Sequence, residues 1–241
     1  MRTRGHIKFY DDLSASQVEK LESEVGYHIP WHVVWKETSL STPARTVYDA
    51  SSKTSTGHSL NDILATGIPD LARLLDILIQ WHFGPVAIVG DVSQFYCSVG
   101  LAEESWPYQK LLLREDMNPQ GKLIKAVIVS AIFGVCSSGG QSEEAIRKFC
   151  ELVKDDFPKV VELLLKSRYV DDILKSLNTQ DEALDLIMKT EKLLEDIQMK
   201  IKGWSISGRN PPEEMSDDGC SVSFFGSHVV SGSRFLQTKH I

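Results

Sequence analysis

Apolar residues recur at helical spacing in several segments of the chain, with polar residues between them. The clearest segment is Thr179–Ile197, where Thr179 stands at the N-cap position and Glu182 follows at the capping-box spacing. The same spacing predicts further helices over Asp11–Val25, Pro69–Trp81, Glu143–Leu152 and Val160–Leu165.

Other segments have the pattern of β-strands. Val86–Asp91 is a continuous apolar run that ends on one carboxylate, which predicts a buried central strand with an acid at its end. Tyr27–Trp35 and Arg45–Asp49 are rich in β-branched and aromatic residues, and they predict a hairpin with basic residues near its tip. Leu165–Leu177 has apolar residues on both sides of Asp171-Asp172, which predicts a tight hairpin with the acids at its turn.

The remaining segments connect these elements. Ser51–Gly67 is rich in Ser, Thr and Gly and predicts an ordered loop, and Gly208–Gly219 predicts a surface loop. Cys220–Val230 predicts a last strand or hairpin. Strands and helices are therefore mixed without strict β-α-β alternation, so we predict an α+β fold.

Length and composition bound the class of protein. The chain has 241 residues, 42% of them hydrophobic, which suffices for one large domain or two small ones that share a core. Its longest apolar runs, Leu74–Ile79 and Ala126–Val129, are much shorter than the roughly 18 residues that span a bilayer. The start of the chain has no apolar segment of a signal peptide, and the four cysteines fit reduced thiols. We expect a cytoplasmic or nuclear protein that is not secreted and has no membrane partner.

The net charge of -7 counts against nucleic-acid binding, because proteins that grip phosphates usually carry a basic surface. This objection weakens if the acids cluster on an outer face or in a metal site. It also weakens if the basic residues lie near a cleft, as the segment between Lys36 and Lys53 allows.

Three aspartates carry the candidate chemistry. Asp91 ends a predicted strand, and Asp171 and Asp172 lie on a predicted turn. Carboxylates that converge at strand ends can hold two magnesium ions, which activate an attacking hydroxyl and stabilise a leaving pyrophosphate. An Asp-Asp pair alone is a weak signal, because acids in turns are usually solvated, as we expect for Asp181-Glu182 and Asp217-Asp218.

Three motifs give these aspartates a context. Tyr169-Val-Asp-Asp172 resembles the Tyr-x-Asp-Asp box of reverse transcriptases, and Asp91-Val-Ser-Gln-Phe-Tyr96 resembles the first acidic motif of that family. Between them, Phe133-Gly-Val-Cys-Ser-Ser138 is similar to the Phe-Gly-x-x-x-Ser box that lines the grip on nucleotide and template. The chain thus resembles enzymes that copy a nucleic-acid template into DNA.

Further segments are similar to one group within that family, the Bel/Pao long-terminal-repeat retrotransposons. Arg45-Thr-Val-Tyr-Asp-Ala-Ser51 and Ser59-Leu-Asn-Asp62 look like its Arg-Val-Val-Phe-Asp-Ala-Ser and Ser-Leu-Asn-Asp segments. Ile201-Lys-Gly-Trp-Ser205 and Phe224-Phe-Gly226 correspond to its Lys-Trp and Leu-Gly motifs. The resemblance extends from about residue 29 to 230, with the motifs in the correct order.

The resemblance implies a fold of fingers and palm, in which an antiparallel palm sheet has helices packed on one face. Residues 1–85 would form a fingers-like region with an N-terminal extension, and residues 86–230 a palm-like region with the acidic metal site. Fingers elements would be interleaved at about 102–130, and 231–241 would be a polar tail. The thumb would be absent, because the chain ends soon after Phe224-Phe-Gly226.

The resemblance also implies roles for the acidic residues and the partners they serve. Asp91 and Asp171 would hold two Mg²⁺ ions, or Mn²⁺ in their place, with Asp172 as a supporting carboxylate. All three would be catalytic, and Tyr169 and Val170 would complete their motif. The partners would be an RNA or DNA template with its primer and a deoxynucleoside triphosphate.

A second set of residues would bind the nucleotide. By resemblance, Tyr96 would pack under its sugar as a steric gate, and Phe133 and Gly134 would line the grip. Arg45 would hold the triphosphate, a task that suits a planar guanidinium, and Lys36 would join it at the fingertip. Each also has a structural explanation. The two aromatic residues would serve equally in a core, the two cations on a surface, and the glycine in a turn.

Departures from the family keep two rival functions open. Gly203 stands where the family has a lysine that assists proton transfer to pyrophosphate, and only the neighbouring Lys202 could substitute for it. Gly139-Gly140 follows Ser138, where the family usually has a proline. One rival is a catalytically weak relic that acts as a nucleic-acid-binding or interaction module. The other is a two-metal nuclease that uses the same acids.

Overall fold

A computed structural model describes residues 5–35, 43–67, 71–115 and 118–207, together with the strands Ser221–Phe224 and Ser227–Val230. The chain divides into two compact units. The first unit contains residues 1–69 and 96–142, and the second contains residues 70–95 and 143–241. In both units the described strands pair antiparallel, and helices are interspersed among the strands along the chain, which confirms the predicted α+β class.

The helices of the described ranges are short to medium in length, and none of them is long and apolar enough to cross a membrane. They are α1 (Ala15–Ser23), α2 (Leu60–Ile63), α3 (Leu74–Trp81), α4 (Ser138–Val153), α5 (Pro158–Lys166) and α6 (Gln180–Asp196). The strands are β1 (Ile7–Phe9), β2 (Trp31–Trp35), β3 (Ala44–Tyr48), β4 (Val86–Ser93), β5 (Lys110–Arg114), β6 (Leu123–Ile128), β7 (Arg168–Tyr169), β8 (Asp172–Leu177), β9 (Lys200–Ile206), β10 (Ser221–Phe224) and β11 (Ser227–Val230).

The first unit is built around a three-stranded sheet in the order β1-β6-β5 and the two-stranded hairpin β2-β3. The strands β5 and β6 are close to each other in the sequence, whereas β1, which also pairs with β6, lies near the start of the chain. Buried apolar side chains from the sheet, the hairpin and α2 form one core, which includes Ile29, Ala50, Leu60, Leu111, Ala126, Ile128 and Ile132.

A buried lysine ties α1 to the sheet of this unit. Lys110 is 7% exposed, and its Nζ donates to the carbonyl of Leu21 at 3.0 Å and to that of Glu24 at 3.5 Å. Both carbonyls lie in the last turn of α1 or just beyond it, where a helix leaves its C=O groups without partners. The ammonium group therefore satisfies the helix end and also interacts favourably with its dipole.

We expect Lys110→Met to lower the free energy of unfolding by about 2 kcal/mol, because it removes charge-assisted hydrogen bonds and leaves a buried carbonyl without a donor. Urea denaturation measures the change. Lys125→Met is the matched control, since Lys125 pairs with Glu22 on the surface, where an ion pair contributes less than about 1 kcal/mol. Equal losses in the two variants would contradict this role of Lys110.

The second unit contains a four-stranded antiparallel sheet in the order β7-β8-β4-β9. The strand β4 lies inside this sheet, because β8 pairs with one of its edges and β9 with the other. Helices α3, α5 and α6 contact the sheet strands. The apolar residues of this core include Ile88, Val89, Leu163, Leu164, Ile173, Leu174, Ile187, Leu194 and Ile206.

Several predicted elements are confirmed. The strand β4 is central and contains Asp91 near its end, and the strand pairs β2-β3 and β7-β8 are antiparallel as predicted. Of the two acids predicted at the turn of the second hairpin, Asp171 lies there and Asp172 begins β8. Thr179 is the N-cap of α6, and its side chain accepts a hydrogen bond from the backbone N–H of Glu182 at 3.2 Å. The Glu182 carboxylate accepts from the N–H of Asn178 at 3.3 Å, one residue before the position that a capping box requires.

Other predictions were wrong in their boundaries. The predicted loop over residues 51–67 contains α2, a single helical turn that Ser59 and Asp62 cap reciprocally. The predicted helix over Pro69–Trp81 begins at Leu74, and the helix predicted from Glu143 begins earlier, at Ser138. The predicted loop over Gly208–Gly219 and the turn that contains Lys36 lie outside the described residues.

Candidate active site

Strand pairing brings the three acidic residues to one end of the sheet in the second unit. Asp91 on β4 and Asp172 on β8 are directly opposite each other in the antiparallel register. Asp171 precedes Asp172 in the turn between β7 and β8, and its backbone carbonyl accepts a hydrogen bond from the N–H of Val92 at 2.8 Å. The structure therefore groups Asp91, Asp171 and Asp172, as the sequence predicts.

The turn that carries Asp171 has an unusual backbone. Tyr169 on β7 pairs with Asp172 on β8, so only Val170 and Asp171 lie between the two strands. Val170 has φ of 58°, a left-handed conformation that is rare for a β-branched residue. Its neighbours must hold Val170 in this conformation, because an isolated chain would leave it.

On its other side Asp91 faces an irregularity in β9. The register between β4 and β9 shifts between Gly90 and Val92, whose partners on β9 are Trp204 and Ile201. Two residues of β9, Lys202 and Gly203, thus fall opposite the single residue Asp91, which is the pattern of a β-bulge. Burial and the charge of Asp171 raise the pKa of Asp91, and the positive charge of Lys202 in this bulge partly opposes that rise.

A tryptophan packs closely under the residue that precedes Asp91. Trp204 is 1% exposed, and its Nε1 donates to the Glu191 carboxylate at 3.1 Å. A Cβ atom on Gly90 would lie 2.7 Å from the Trp204 ring, so only glycine allows this approach. Neither Gly90 nor Trp204 was predicted from the sequence to shape the site, although Trp204 lies in the segment that resembles the Lys-Trp motif.

Burial raises the pKa values of all three carboxyl groups, and repulsion between charges adds to this effect at Asp172 and Asp91. The pKa of Asp172 rises to about 7, because the group is buried and faces the charges of Asp171 and Asp91. Burial and the charge of Asp171 raise the pKa of Asp91, against the opposing effect of Lys202. Burial raises the pKa of Asp171, although its own backbone N–H and Arg168 lower it. The site therefore carries an excess of negative charge that a cation would neutralise.

This electrostatic arrangement predicts how the unfolding free energy depends on pH. A carboxyl group with a raised pKa in the folded state stabilises the fold below its unfolded pKa, and this contribution is lost as pH rises through the folded value. For Asp172 the loss spans about pH 4 to 7 and amounts to roughly 2–4 kcal/mol. We expect Asp172→Asn to be more stable than the unsubstituted chain at pH 8 and to lose this advantage at pH 4. Urea unfolding without divalent cations at both pH values measures the difference, and an equal difference at both would contradict the prediction.

The site fits magnesium in the chemistry of its donors. In the ranges that the structure describes, no three His, Cys, Asp or Glu side chains are arranged as a ready metal site. Magnesium does not require such a cage, because it is usually bound by one or two carboxylates together with water and substrate phosphates. Asp91 and Asp171 supply hard oxygen ligands of this kind, and Asp172 adds negative charge beside them.

The residues predicted to bind nucleotide lie in the first unit. Arg45 is on the exposed hairpin strand β3, opposite Val34 of β2. Tyr96 begins a short 3₁₀ helix, and its ring makes an edge-to-face contact with Phe133 at 4.5 Å between ring centroids. Phe133 is 58% exposed, so it is not a plain core aromatic residue. Lys36 lies outside the described residues.

Gly134 allows a close backbone approach, and the group that approaches it is within the same unit. Its φ is 96°, and a Cβ atom at this position would lie 2.2 Å from the carbonyl oxygen of Tyr48. The neighbouring segment is held by Asn61, whose amide donates to the Gly134 carbonyl at 2.9 Å and accepts from the N–H of Cys136 at 2.9 Å. Asn61 was not among the predicted site residues, although it belongs to the Ser-Leu-Asn-Asp segment.

Comparisons with known proteins add no relative to this picture: no protein-family model matches the chain, and no curated protein matches it.

Proposed function

We propose that this chain is the fingers and palm portion of an RNA-directed DNA polymerase of the Bel/Pao retrotransposon type. The observation that carries the proposal is the group of Asp91, Asp171 and Asp172 at the end of the β4-β8 pair. In this group burial, together with repulsion from Asp171 and Asp91, raises the pKa of Asp172 to about 7. Such a group of buried and half-buried carboxyl groups with raised pKa values is typical of sites that bind a cation and a charged substrate.

The proposed reaction joins a primer to a deoxynucleoside triphosphate. The 3′-hydroxyl of the primer attacks the α-phosphorus in line, the bond to the β-phosphate oxygen breaks, and pyrophosphate leaves. Bound magnesium supplies charge neutralisation at the attacking and leaving oxygens. Asp91 and Asp171 would hold it, with manganese as a substitute. The protein contributes mainly positioning and electrostatic stabilisation, because phosphoryl transfer needs little covalent chemistry from side chains.

The remaining residues act on the nucleotide and the acids. In this proposal Arg45 binds the triphosphate, Lys36 assists it, and the exposed Phe133 with Tyr96 forms an aromatic surface for the sugar and base. The charge of Lys202 acts on Asp91. In this proposal Lys202 takes the role of the family's lysine, whose position Gly203 occupies in this chain.

Two observations favour a second candidate function. The described residues contain no assembled group of three metal-binding side chains, and Gly203 occupies the position of the family's lysine. A chain that binds primer and template without extending them would have these features. This candidate is a nucleic-acid-binding or interaction module derived from a retroelement.

One set of assays separates the candidate functions. The chain is mixed with a labelled DNA primer on an RNA template, and extension, strand cleavage and binding are measured in parallel with Mg²⁺ and deoxynucleotides. Extension that follows the template sequence supports the polymerase. Binding without extension supports the interaction module, and shortening of either strand supports a nuclease.

A further inference from the structure

A buried ion pair lies next to the turn that carries Asp171. The Nη2 and Nη1 atoms of Arg168 donate to the two carboxylate oxygens of Glu143 at 2.6 and 3.0 Å. The two side chains are 3% and 13% exposed. Desolvation of both charges offsets most of the attraction between them, so a buried pair of this kind adds little net stability. Stability alone therefore does not explain why the pair is present.

The guanidinium group of Arg168 is fixed from several directions. Its Nε donates to the carbonyl of Leu164 at 3.1 Å, and its Cζ lies over the ring of Phe95, 5.0 Å from the ring centroid. Its Nη1 also donates to the carbonyl of Val170. Glu143 and Leu164 thus hold the fork of Arg168 in place, and the fork in turn holds the Val170 carbonyl.

Fixing this carbonyl also fixes the group on the other side of the same peptide bond. The C=O of Val170 and the N–H of Asp171 belong to one planar trans peptide, so they point in opposite directions. On the other side of its Cα atom, the backbone carbonyl of Asp171 accepts a hydrogen bond from the N–H of Val92 on β4 at 2.8 Å. Asp171 is therefore held on both sides of its Cα atom, which sets the direction in which its side chain leaves the turn.

The peptide needs such a restraint because the residue before it is strained. Val170 has φ of 58°, which a β-branched side chain disfavours. Rotation of Val170 back to a negative φ would relieve this strain, and it would swing the Val170 carbonyl, together with the Asp171 that follows it, to another direction. The hydrogen bond from Arg168 to the Val170 carbonyl opposes that rotation.

We propose that Arg168 and Glu143 are positioning residues that hold the Val170–Asp171 peptide in one orientation and so aim the Asp171 carboxylate. They act through Asp171. The consequence for divalent-cation binding rests on the proposed function, whereas the orientation of the peptide does not. The ion pair thus serves to fix the turn rather than to increase stability.

Three variants separate positioning from stability. Glu143→Gln keeps the volume of the side chain and removes its charge. Glu144→Gln is the matched control on the same helix, because Glu144 pairs with Arg147 at 2.7 Å on the surface, where both side chains are more than 40% exposed. The double variant Arg168→Met with Glu143→Leu replaces the buried pair by apolar side chains, which is often neutral or favourable for stability, but it has no donor for the Val170 carbonyl.

Two readouts are measured on each folded variant. The first is the amide NMR signal of Asp171, which reports the orientation of the peptide without any cation. The second is the dissociation constant for Mn²⁺, measured by electron paramagnetic resonance. We expect the Asp171 amide to shift or broaden in Glu143→Gln and in the double variant, and Mn²⁺ affinity to fall roughly tenfold or more, as for other residues that orient metal ligands. Glu144→Gln should change neither.

An Asp171 amide and a Mn²⁺ affinity that are unchanged in the stable double variant would overturn the inference. If the unsubstituted chain binds no Mn²⁺, the proposed function fails instead. The amide signal still decides whether Arg168 and Glu143 hold the peptide, so the two failures are distinguishable.

Discussion

Asp91→Asn is expected to reduce template-directed primer extension about 10³-fold, because it removes one of the two carboxylates proposed to hold the catalytic cation. The amide keeps the shape of the side chain but carries no charge. Since burial and the charge of Asp171 raise the pKa of Asp91, the substitution removes an unfavourable charge and should leave the fold at least as stable at pH 8. Steady-state extension rates and thermal unfolding on the same samples measure both effects.

The matched control for this prediction is Asp185→Asn. Asp185 is an exposed acid on α6 that pairs with Lys189 at 2.7 Å on the surface. Its removal changes the net charge of the chain by the same amount but should leave extension unchanged. Equal losses of activity in the two variants would mean that overall charge, rather than the site at the end of β4, controls the reaction.

Gly134→Ala is expected to lower the free energy of unfolding by on the order of 3 kcal/mol. Two effects act together at this position. The left-handed φ of 96° disfavours any side chain, and the new methyl group would meet the carbonyl oxygen of Tyr48 at 2.2 Å. Because both groups are backbone-fixed, the clash cannot be relieved by rotating a side chain. Chemical denaturation followed by circular dichroism measures the loss.

Gly139→Ala is the control, since it makes the same chemical change five residues later. A Cβ atom on Gly139 meets nothing within 4 Å, and the residue lies in α4. Alanine should therefore stabilise the protein by up to about 1 kcal/mol through its higher helix propensity. A Gly134→Ala variant as stable as Gly139→Ala would contradict the described approach of Tyr48.

The elements that were predicted well from the sequence have apolar residues that recur at a regular spacing without interruption. Helix α6 has apolar residues along one side and a threonine cap, and both are visible in the sequence. The strand β9 was missed because its bulge breaks the alternation. Ile201 and Trp204 are both buried although they are three positions apart, since Lys202 and Gly203 share one place opposite Asp91. A register shift of this kind appears only when the partner strand is known.

The strands β5 and β6 were missed for a different reason. Lys110–Arg114 and Leu123–Ile128 are short apolar runs, and periodicity alone cannot assign such runs to a strand or a helix. Their pairing with each other and with β1 decides the conformation. This pairing depends on residues far away in the sequence, so local propensity does not reveal it.

The candidate site was predicted only in part. The motif residues Asp91, Asp171 and Asp172 were found from the sequence, and strand pairing explains how they meet. The role of Glu143 could not be found, because it stands next to Glu144 and both look like surface acids at the start of a predicted helix. The fold turns Glu143 toward buried Arg168, whereas Glu144 pairs with Arg147 on the surface.

The measurement that tests the central claim most directly is incorporation of a single templated deoxynucleotide on an RNA template. The unsubstituted chain is compared with the double variant Asp171→Asn with Asp172→Asn, in Mg²⁺ and again in Mn²⁺. We predict that the unsubstituted chain adds only the nucleotide complementary to the template base, and that the double variant adds none. Incorporation by the double variant at the rate of the unsubstituted chain, or none by either folded protein, would contradict the proposed polymerase site.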